Sequence, residues 1–363
     1  MDKESIMIMA LVAIILTLIL VIGIHELGHA LAARLFQVKI SKISIGFGKP
    51  LIQWQTRSGC NWIWAMWPLG GYVQLLNSRI SPVKPQENAY CFDKKPVWIR
   101  VVILLSGAIA NLVTAWIALV LVFYIGISYK LPQIQSVKPD SLAAKTGIQA
   151  GDQWVAVESY PTDSWQGVGM QLVIHWGQKD VHIVLRQGNQ QLKQLNLDLS
   201  QIEFTSKDGS LLESLGIKPD LSAVSSLTRY PSLLASMQKA FTEIIHTMYF
   251  FIMILKQLFL GVIPFSILLG PLAIFSVSVA SLTQGVIVFL LFIATLSLAV
   301  ALVNLFPIPG LDGGSILYSV IEKIRGKPVS VAVEVLLHRL MIILFCVLLV
   351  HLLMNDLNRY LHH

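Results

Sequence analysis

Three residues within one helical turn carry the clearest chemistry in this chain: His25, Glu26 and His29, in the string His25-Glu26-Leu27-Gly28-His29. On a helix, residues four apart share a face, so two imidazoles can bind one metal ion while the adjacent carboxylate reaches a water on that metal. The location sharpens this reading. Three ionisable residues within five positions continue an apolar run, Ile6 to Ile24, that contains no charge. An ionisable residue at the centre of a membrane helix costs about 2.5–3.5 kcal/mol on insertion scales. The competing reading is a helix end that has simply reached water.

A catalytic zinc site commonly takes three protein ligands and keeps an open position. The third must come from elsewhere in the chain. His246, His338, His351 and several carboxylates are available, but one acidic residue has an unusual setting. Asp312 lies in Asn304-Leu-Phe-Pro-Ile-Pro-Gly-Leu-Asp-Gly-Gly314, directly after another uncharged run. Pro307 and Pro309 break a helix, and Gly310, Gly313 and Gly314 permit tight backbone. At membrane depth such a break requires protein or a wet cavity to satisfy its polar groups. It is read either as an ordinary loop end or as a carboxylate held toward a metal.

These residues must be positioned by membrane-spanning elements. Of the 363 residues, 55% are hydrophobic and 13% charged, which is not the composition of a soluble protein. A span needs about 20 apolar residues. Ile6–Ile24, Val101–Ser128, Val286–Pro309 and the shorter Leu340–Met354 give four spans. The 240–280 stretch is nearly as apolar but is interrupted by Glu243, Lys256, Pro264 and Pro271, and is read as interfacial or re-entrant helices. Four spans put both termini on one side. Arg34, Lys39, Lys42, Lys49, Arg57, Arg79, Lys84, Lys94, Lys95 and Arg100 make the first loop basic, so it is expected to be cytoplasmic. Lys323, Arg325, Lys327 and Arg339 agree. Both termini and the Tyr129–Pro231 region then face outward. The net charge of +7 reflects this topology, and no basic patch interleaved with aromatics suggests a nucleic-acid surface. Cys60, Cys91 and Cys346 are expected to be free thiols. The first run lacks a small-residue cleavage site and is expected to stay attached.

Between the first two spans, Val38–Gly48, Asn61–Met66 and Gly70–Leu75 alternate as strands do, with a turn at Arg57-Ser58-Gly59. Trp54, Trp62, Trp64 and Trp67 suit a bilayer interface. Two readings fit: a simple anchor, or a β-ribbon whose edge receives an extended peptide. From Leu131 to about Leu199 the composition is that of a small α/β domain, and Ser141–Asp152 resembles the helix-and-turn signature of bacterial PDZ domains. Its His175 and His182 read as surface or packing residues. Ser200–Tyr230, with Lys207-Asp208-Gly209-Ser210, reads as a connecting loop.

The histidine motif at the end of a first span, paired with the Asn304–Gly314 string on a later one, resembles the site-2 protease family of intramembrane metalloproteases, in its bacterial regulator-of-sigma-E protease branch. Gly46-Phe-Gly48, Gly70-Gly71-Tyr72-Val73, Ser106-Gly107 with Asn111, and Gly270-Pro271 extend the resemblance over nearly the whole chain. It implies His25, His29 and Asp312 as Zn2+ ligands and Glu26 as general base and acid. It implies Asn304 as a binder of substrate backbone, and the Gly46–Val73 region, with Gly46, Gly71 and Tyr72, as a membrane-associated β-loop that extends the substrate. Two departures stand out. The best-known Gram-negative members carry two PDZ domains where one is found here, and Gly107-Ala108 stands where Gly-Pro is common, for which only a local packing effect is expected.

The expected fold is therefore a polytopic α-helical membrane protein with four transmembrane helices, a membrane-associated β-loop and one inserted α/β PDZ-like domain. Its parts are a first transmembrane helix (1–36), a cytoplasmic β-loop region (37–96), a second helix (97–128), an extracytoplasmic PDZ-like domain (129–200), a linker with interfacial or re-entrant helices (201–284), a third transmembrane segment (285–315), and a cytoplasmic link with the fourth helix (316–363). The expected activity is hydrolysis of a peptide bond within or near a substrate transmembrane helix, such as that of an anti-sigma factor or a signal-peptide remnant. The expected partners are transmembrane proteins, membrane lipid, and a peptide or C-terminus on the PDZ-like domain. The expected place is a bacterial cytoplasmic (inner) membrane, with the active site near the cytoplasmic side. The alternatives are a PDZ scaffold or inactive pseudoprotease and, last, a metal transporter.

Overall fold

The computed structural model describes residues 3–56, 59–202, 211–223, 225–263, 265 and 268–361. The expected turn at Arg57-Ser58 and the polar string Lys207–Ser210 lie outside them. The chain forms two compact units, one of residues 1–122 with 269–363 and one of residues 123–268.

The first unit opens with helix α1 (Lys3–Thr17), a π-helical stretch (Leu18–Gly23) and helix α2 (Ile24–Leu35), running on as one rod. The wider turns of a π-helix rephase the residues that follow, and such turns recur at functional sites. Strands β1 (Ile40–Gln55) and β2 (Asn61–Leu75) come next. Each doubles back on itself. Residues Lys42, Ile43, Ser44 and Ile45 pair with Asn61–Trp64 on one side and with Gly71–Gln74 on the other, while Ile52–Gln55 pair with Asn61–Trp64. Four half-strands thus lie in the order 50–55, 61–65, 42–45, 71–75. Gly46 and Gly48, at φ 91° and 93°, supply the backbone at the bend of β1. The ribbon packs through Val38, Ile40, Ile43, Trp62 and Val73 against Ala30 and Ala33 of α2 and Ile103 of the long helix α3 (Val97–Ile125).

The second unit holds β3 (Ile127–Lys130), β4 (Ile134–Val137), α4 (Leu142–Thr146), β5 (Gln153–Val157), β6 (Tyr160–Pro161), α5 (Trp165–Ile174), β7 (Val181–Arg186), β8 (Leu192–Leu197), α6 (Leu211–Leu215), β9 (Ile217–Pro219), β10 (Ser225–Thr228) and α7 (Leu233–Phe259). Its main sheet has the order β6-β5-β7-β8, with β4 paired to β9 and β3 to β10. Ser141 and Ser164 cap α4 and α5, and Gly147 ends α4 at φ 90°. Alternate residues of β7, Val181, Ile183 and Leu185, are fully buried with Trp154, Leu172 and Leu197. The reading of Ser200–Tyr230 as a connecting loop is corrected. Leu215 and Ile217 belong to that same core, and β9 pairs with β4. A polar composition concealed α6, β9 and β10, of whose few apolar residues Leu215 and Ile217 are buried and Leu211 and Leu212 partly so.

The chain returns to the first unit with α8 (Pro271–Gln284), α9 (Val286–Leu305), α10 (Asp312–Arg325) and α11 (Val331–Leu361). Among the described residues, four helices are long and apolar enough to cross a membrane: Glu4–Leu35, Val97–Ile125, Val286–Leu305 and Val331–Asn358. They match the four expected spans. The last extends well beyond Leu340–Met354, and the link before it is mostly helix α10. Neither α7 nor the 14-residue α8 meets the length and hydropathy of a span. Cys60, Cys91 and Cys346 are free.

Candidate metal centre

The two histidines of α2 and the carboxylate at the start of α10 meet at one point. His25 Nε2 and His29 Nε2 each lie 3.2 Å from Asp312 Oδ2 and 3.2 Å from one another. Ligand atoms about 2.0–2.1 Å from a tetrahedral zinc ion stand about 3.3–3.4 Å apart, so this triangle has the size of one face of that tetrahedron. Asp312 Oδ2 is buried and makes no hydrogen bond, although two imidazole nitrogens face it. A buried oxygen in that position suits a cation, which all three atoms could share. The residues present therefore fit a zinc ion, and they form the metal-capable group among the described residues.

Local sequence explains how each ligand arrives. The π-helical stretch ends at Gly23, and regular α-helix resumes at Ile24, so His25 and His29 fall one turn apart with their rings edge to face, 4.8 Å between centroids. Asp312 is set by the break its neighbours impose. Phe306 is extended ahead of Pro307, Gly310 takes φ 97°, and α10 begins at Asp312 itself. A Cβ on Gly313 would stand 2.3 Å from the carbonyl oxygens of Leu305 and Phe306, and one on Gly314 would stand 2.2 Å from that of Ile308. The two glycines let the first turn of α10 rest on the frayed end of α9.

Helix α3 supplies the back wall. A Cβ at Gly28 would meet Ser106 O at 2.5 Å, and one at Gly107 would meet His29 Nε2 at 2.4 Å and His25 Cε1 at 2.7 Å. Small residues let membrane helices approach this closely. His29 Nδ1 donates to Ile103 O at 2.8 Å, which leaves its Nε2 lone pair for a metal. His25 Nδ1 lies 3.4 Å from Asn111 Nδ2, and Asn111 is fully buried.

Glu26 lies on the flank of the triangle toward the ribbon. Its Oε2 accepts the Val73 backbone N–H at 2.8 Å, so the 71–75 half-strand holds the carboxylate. The other expected site residues lie on α9 and the ribbon. Asn304 sits half-buried in the last turn of α9, and its side chain makes no hydrogen bond among the described residues. Gly46 is at the bend of β1, Tyr72 pairs with Ser44, and Gly71 passes the Ser44 carbonyl so closely that a Cβ would stand 2.7 Å from it. Sequence reasoning missed the Ile103 carbonyl, the Val73 amide and the contact of Gly107 with both rings. The first two are backbone groups without a side-chain signature. Gly107 was visible only as part of a motif.

Comparison with known proteins agrees with this geometry. The description "Peptidase family M50" matches residues 13–348. The regulator of sigma-E protease RseP of Salmonella typhimurium is 29% identical over 442 aligned positions, covering 96% of this chain and 98% of that protein. Protease RseP of Yersinia pestis is 27% identical, with 96% and 98% covered. A putative zinc metalloprotease of Pasteurella multocida, PM1991, is 25% identical, with 95% and 98% covered. The alignments are longer than the 363 residues of this chain, so these relatives carry residues that it lacks.

Proposed function

The chain belongs to peptidase family M50, and from that premise we propose that His25, His29 and Asp312 hold the zinc and that Glu26 is the general base and acid. The protein is an intramembrane zinc metalloprotease acting in regulated proteolysis. Zinc, when bound, supplies a Lewis acid for the scissile carbonyl and acidifies water near pH 7. The residues do the rest. Glu26 takes the proton of the attacking water on a carboxylate oxygen while Val73 N–H fixes the other oxygen, then returns the proton to the leaving amine nitrogen. His25, His29 and Asp312 keep their positions throughout.

A helical substrate hides its carbonyls in its own hydrogen bonds, so the cleaved stretch must unwind before attack. The outer edge of the ribbon, the 71–75 half-strand, adjoins Glu26 and is the edge proposed to receive an extended segment. Asn304, with its amide uncommitted, is suited to bind the same backbone. Leu51, Ile52, Trp54, Trp64 and Met66 are exposed apolar side chains on the ribbon, in keeping with lipid contact.

The α/β domain expected at 129–200, with β9 completing its core, is read as a single PDZ-like domain that selects substrates, by binding a peptide or C-terminus or by excluding bulky ones. We place the protein in a bacterial inner membrane with both termini outward and the zinc near the cytoplasmic side. Its substrates are transmembrane proteins, with anti-sigma factors and signal-peptide remnants the candidate classes.

The single observation carrying this reading is the 3.2 Å triangle of His25, His29 and Asp312 beside Glu26. Its test is zinc content and cleavage of a model transmembrane substrate by purified protein in detergent. One zinc per chain is expected in wild type and in Glu26→Gln, weakened binding in Asp312→Ala, and loss of cleavage in both variants. A wild type that binds no zinc and never cuts is the outcome that favours the scaffold reading.

A further inference from the structure

We propose that Asn111 of α3 is a positioning residue for His25, and that its side-chain oxygen, by accepting from Nδ1–H, stabilises the ring tautomer in which Nε2 is free to bind zinc. The inference rests on the zinc-site reading above and adds to it a residue that touches neither the metal position nor the substrate.

The two imidazoles are chemical equals. A neutral histidine carries one ring proton, and its metal-binding nitrogen must be the other one. Both rings here turn Nε2 toward Asp312, so both must carry the proton on Nδ1 when a metal is present. For His29 the acceptor is evident: Ile103 O, at 2.8 Å. For His25 the group beside Nδ1 is Asn111, whose side chain is 3.4 Å away at its amide nitrogen, while Asn111 Oδ1 is buried without a partner.

An amide nitrogen aimed at Nδ1 donates to it and forces the proton onto Nε2, the tautomer that cannot bind metal. The two ends of an amide have nearly the same shape, so rotating it by half a turn moves no other atom. That rotation gives the orphaned oxygen a donor, Nδ1–H, and frees Nε2. Either orientation leaves one end of the amide unbonded, so the amide alone does not choose between them. Metal binding decides it, because only one orientation is compatible with a ligand lone pair on Nε2. A buried amide with one committed end is then a proton-position lock for His25, as the Ile103 carbonyl is for His29.

The spacing along α3 supports a shared purpose. Ile103, Gly107 and Asn111 stand at i, i+4 and i+8, one line down one face of the helix. Ile103 O takes His29, Gly107 leaves room for both rings, and Asn111 takes His25. A single helix face thus addresses the outer nitrogen of both ligands, with an invariant-geometry carbonyl at one and an adaptable amide at the other.

The test compares zinc affinity of the full-length chain in detergent, by competition with a chromophoric chelator, for wild type, Asn111→Leu and Asn111→Asp. Leucine keeps the volume and removes the acceptor; aspartate keeps an acceptor and removes the donor. The proposal expects Asn111→Leu to bind zinc about 10–100-fold more weakly, and Asn111→Asp to bind at least as tightly as wild type. Cobalt substituted for zinc reads the same point spectroscopically, with the tetrahedral absorption kept in Asn111→Asp and altered in Asn111→Leu. Equal affinity in Asn111→Leu and wild type overturns the proposal. So does an equal loss in both variants, which assigns Asn111 to packing. Melting of the metal-free proteins separates a folding defect from a ligand defect: a loss of affinity in Asn111→Leu that is matched by a loss of metal-free stability in both variants also counts against it. His25→Ala guards the premise, because unchanged zinc binding there defeats the metal-site reading itself rather than the role of Asn111.

Discussion

At the residue scale, the two imidazoles are constrained by a missing side chain. Any Cβ at position 107 would overlap His29 Nε2 and His25 Cε1. Relief would need one ring to rotate away from Asp312 or α3 to withdraw from α2, where the Gly28 contact with Ser106 O leaves no slack. Gly107→Ala is therefore expected to lower zinc affinity at least tenfold and to abolish most cleavage while leaving the protein in the membrane fraction. Zinc retained at one per chain after dialysis against a mild chelator would show that the rings have another way out.

At the element scale, the question is what keeps α10 in place, since it carries Asp312 at one end and is otherwise amphipathic. Its far end is fastened by Glu322, which accepts two hydrogen bonds from Arg100 of α3 at 2.8 and 2.9 Å. Arg100 is buried, and the guanidinium holds the Glu322 carboxyl below the usual carboxylate range. A carboxylate whose folded pKa is depressed contributes stability above its unfolded pKa of about 4.3, and loses that contribution as pH falls through the folded value. Removing one partner strands the other. The cost should fall between ~1 kcal/mol for an exposed pair and ~3–5 kcal/mol for a buried pair broken on one side. Glu322→Ala is accordingly expected to lower the melting temperature and weaken zinc binding together. The double variant Arg100→Met with Glu322→Leu should recover most of the melting temperature, because no buried charge is left unpaired. Thermal unfolding with and without added zinc reads both effects, and a double variant no better than Glu322→Ala would remove the ion pair as the cause.

At the scale of the whole molecule, every residue assigned to the metal centre lies in the unit of residues 1–122 and 269–363, and the α/β core lies in the other. Leu185 is fully buried in that second core. Leu185→Ala should destabilise the α/β unit by about 2–5 kcal/mol. Zinc content should not change. Limited proteolysis of the 123–268 region alongside metal analysis distinguishes this from a chain whose units unfold as one, in which zinc would be lost in step with cleavage of the α/β unit.

The chain's pattern by itself determined the four spans, the ribbon, the α/β insert and the residues that meet at the candidate metal centre. Apolar length, period-two alternation and helical spacing are local properties, and His25, Glu26 and His29 sit within one turn of helix. The break at Pro307 to Gly314 was equally local, and it marked Asp312. Tertiary structure alone decided the rest. That Leu215 and Ile217 complete the α/β core depends on the pairing of β9 with β4, far apart in sequence. That Ile103 O, Val73 N–H and Asn111 serve His29, Glu26 and His25 depends on how α2, α3 and the ribbon pack. Backbone donors and acceptors are the same at every residue, so no sequence pattern announces which of them will be spent on a side chain 47 or 74 residues away.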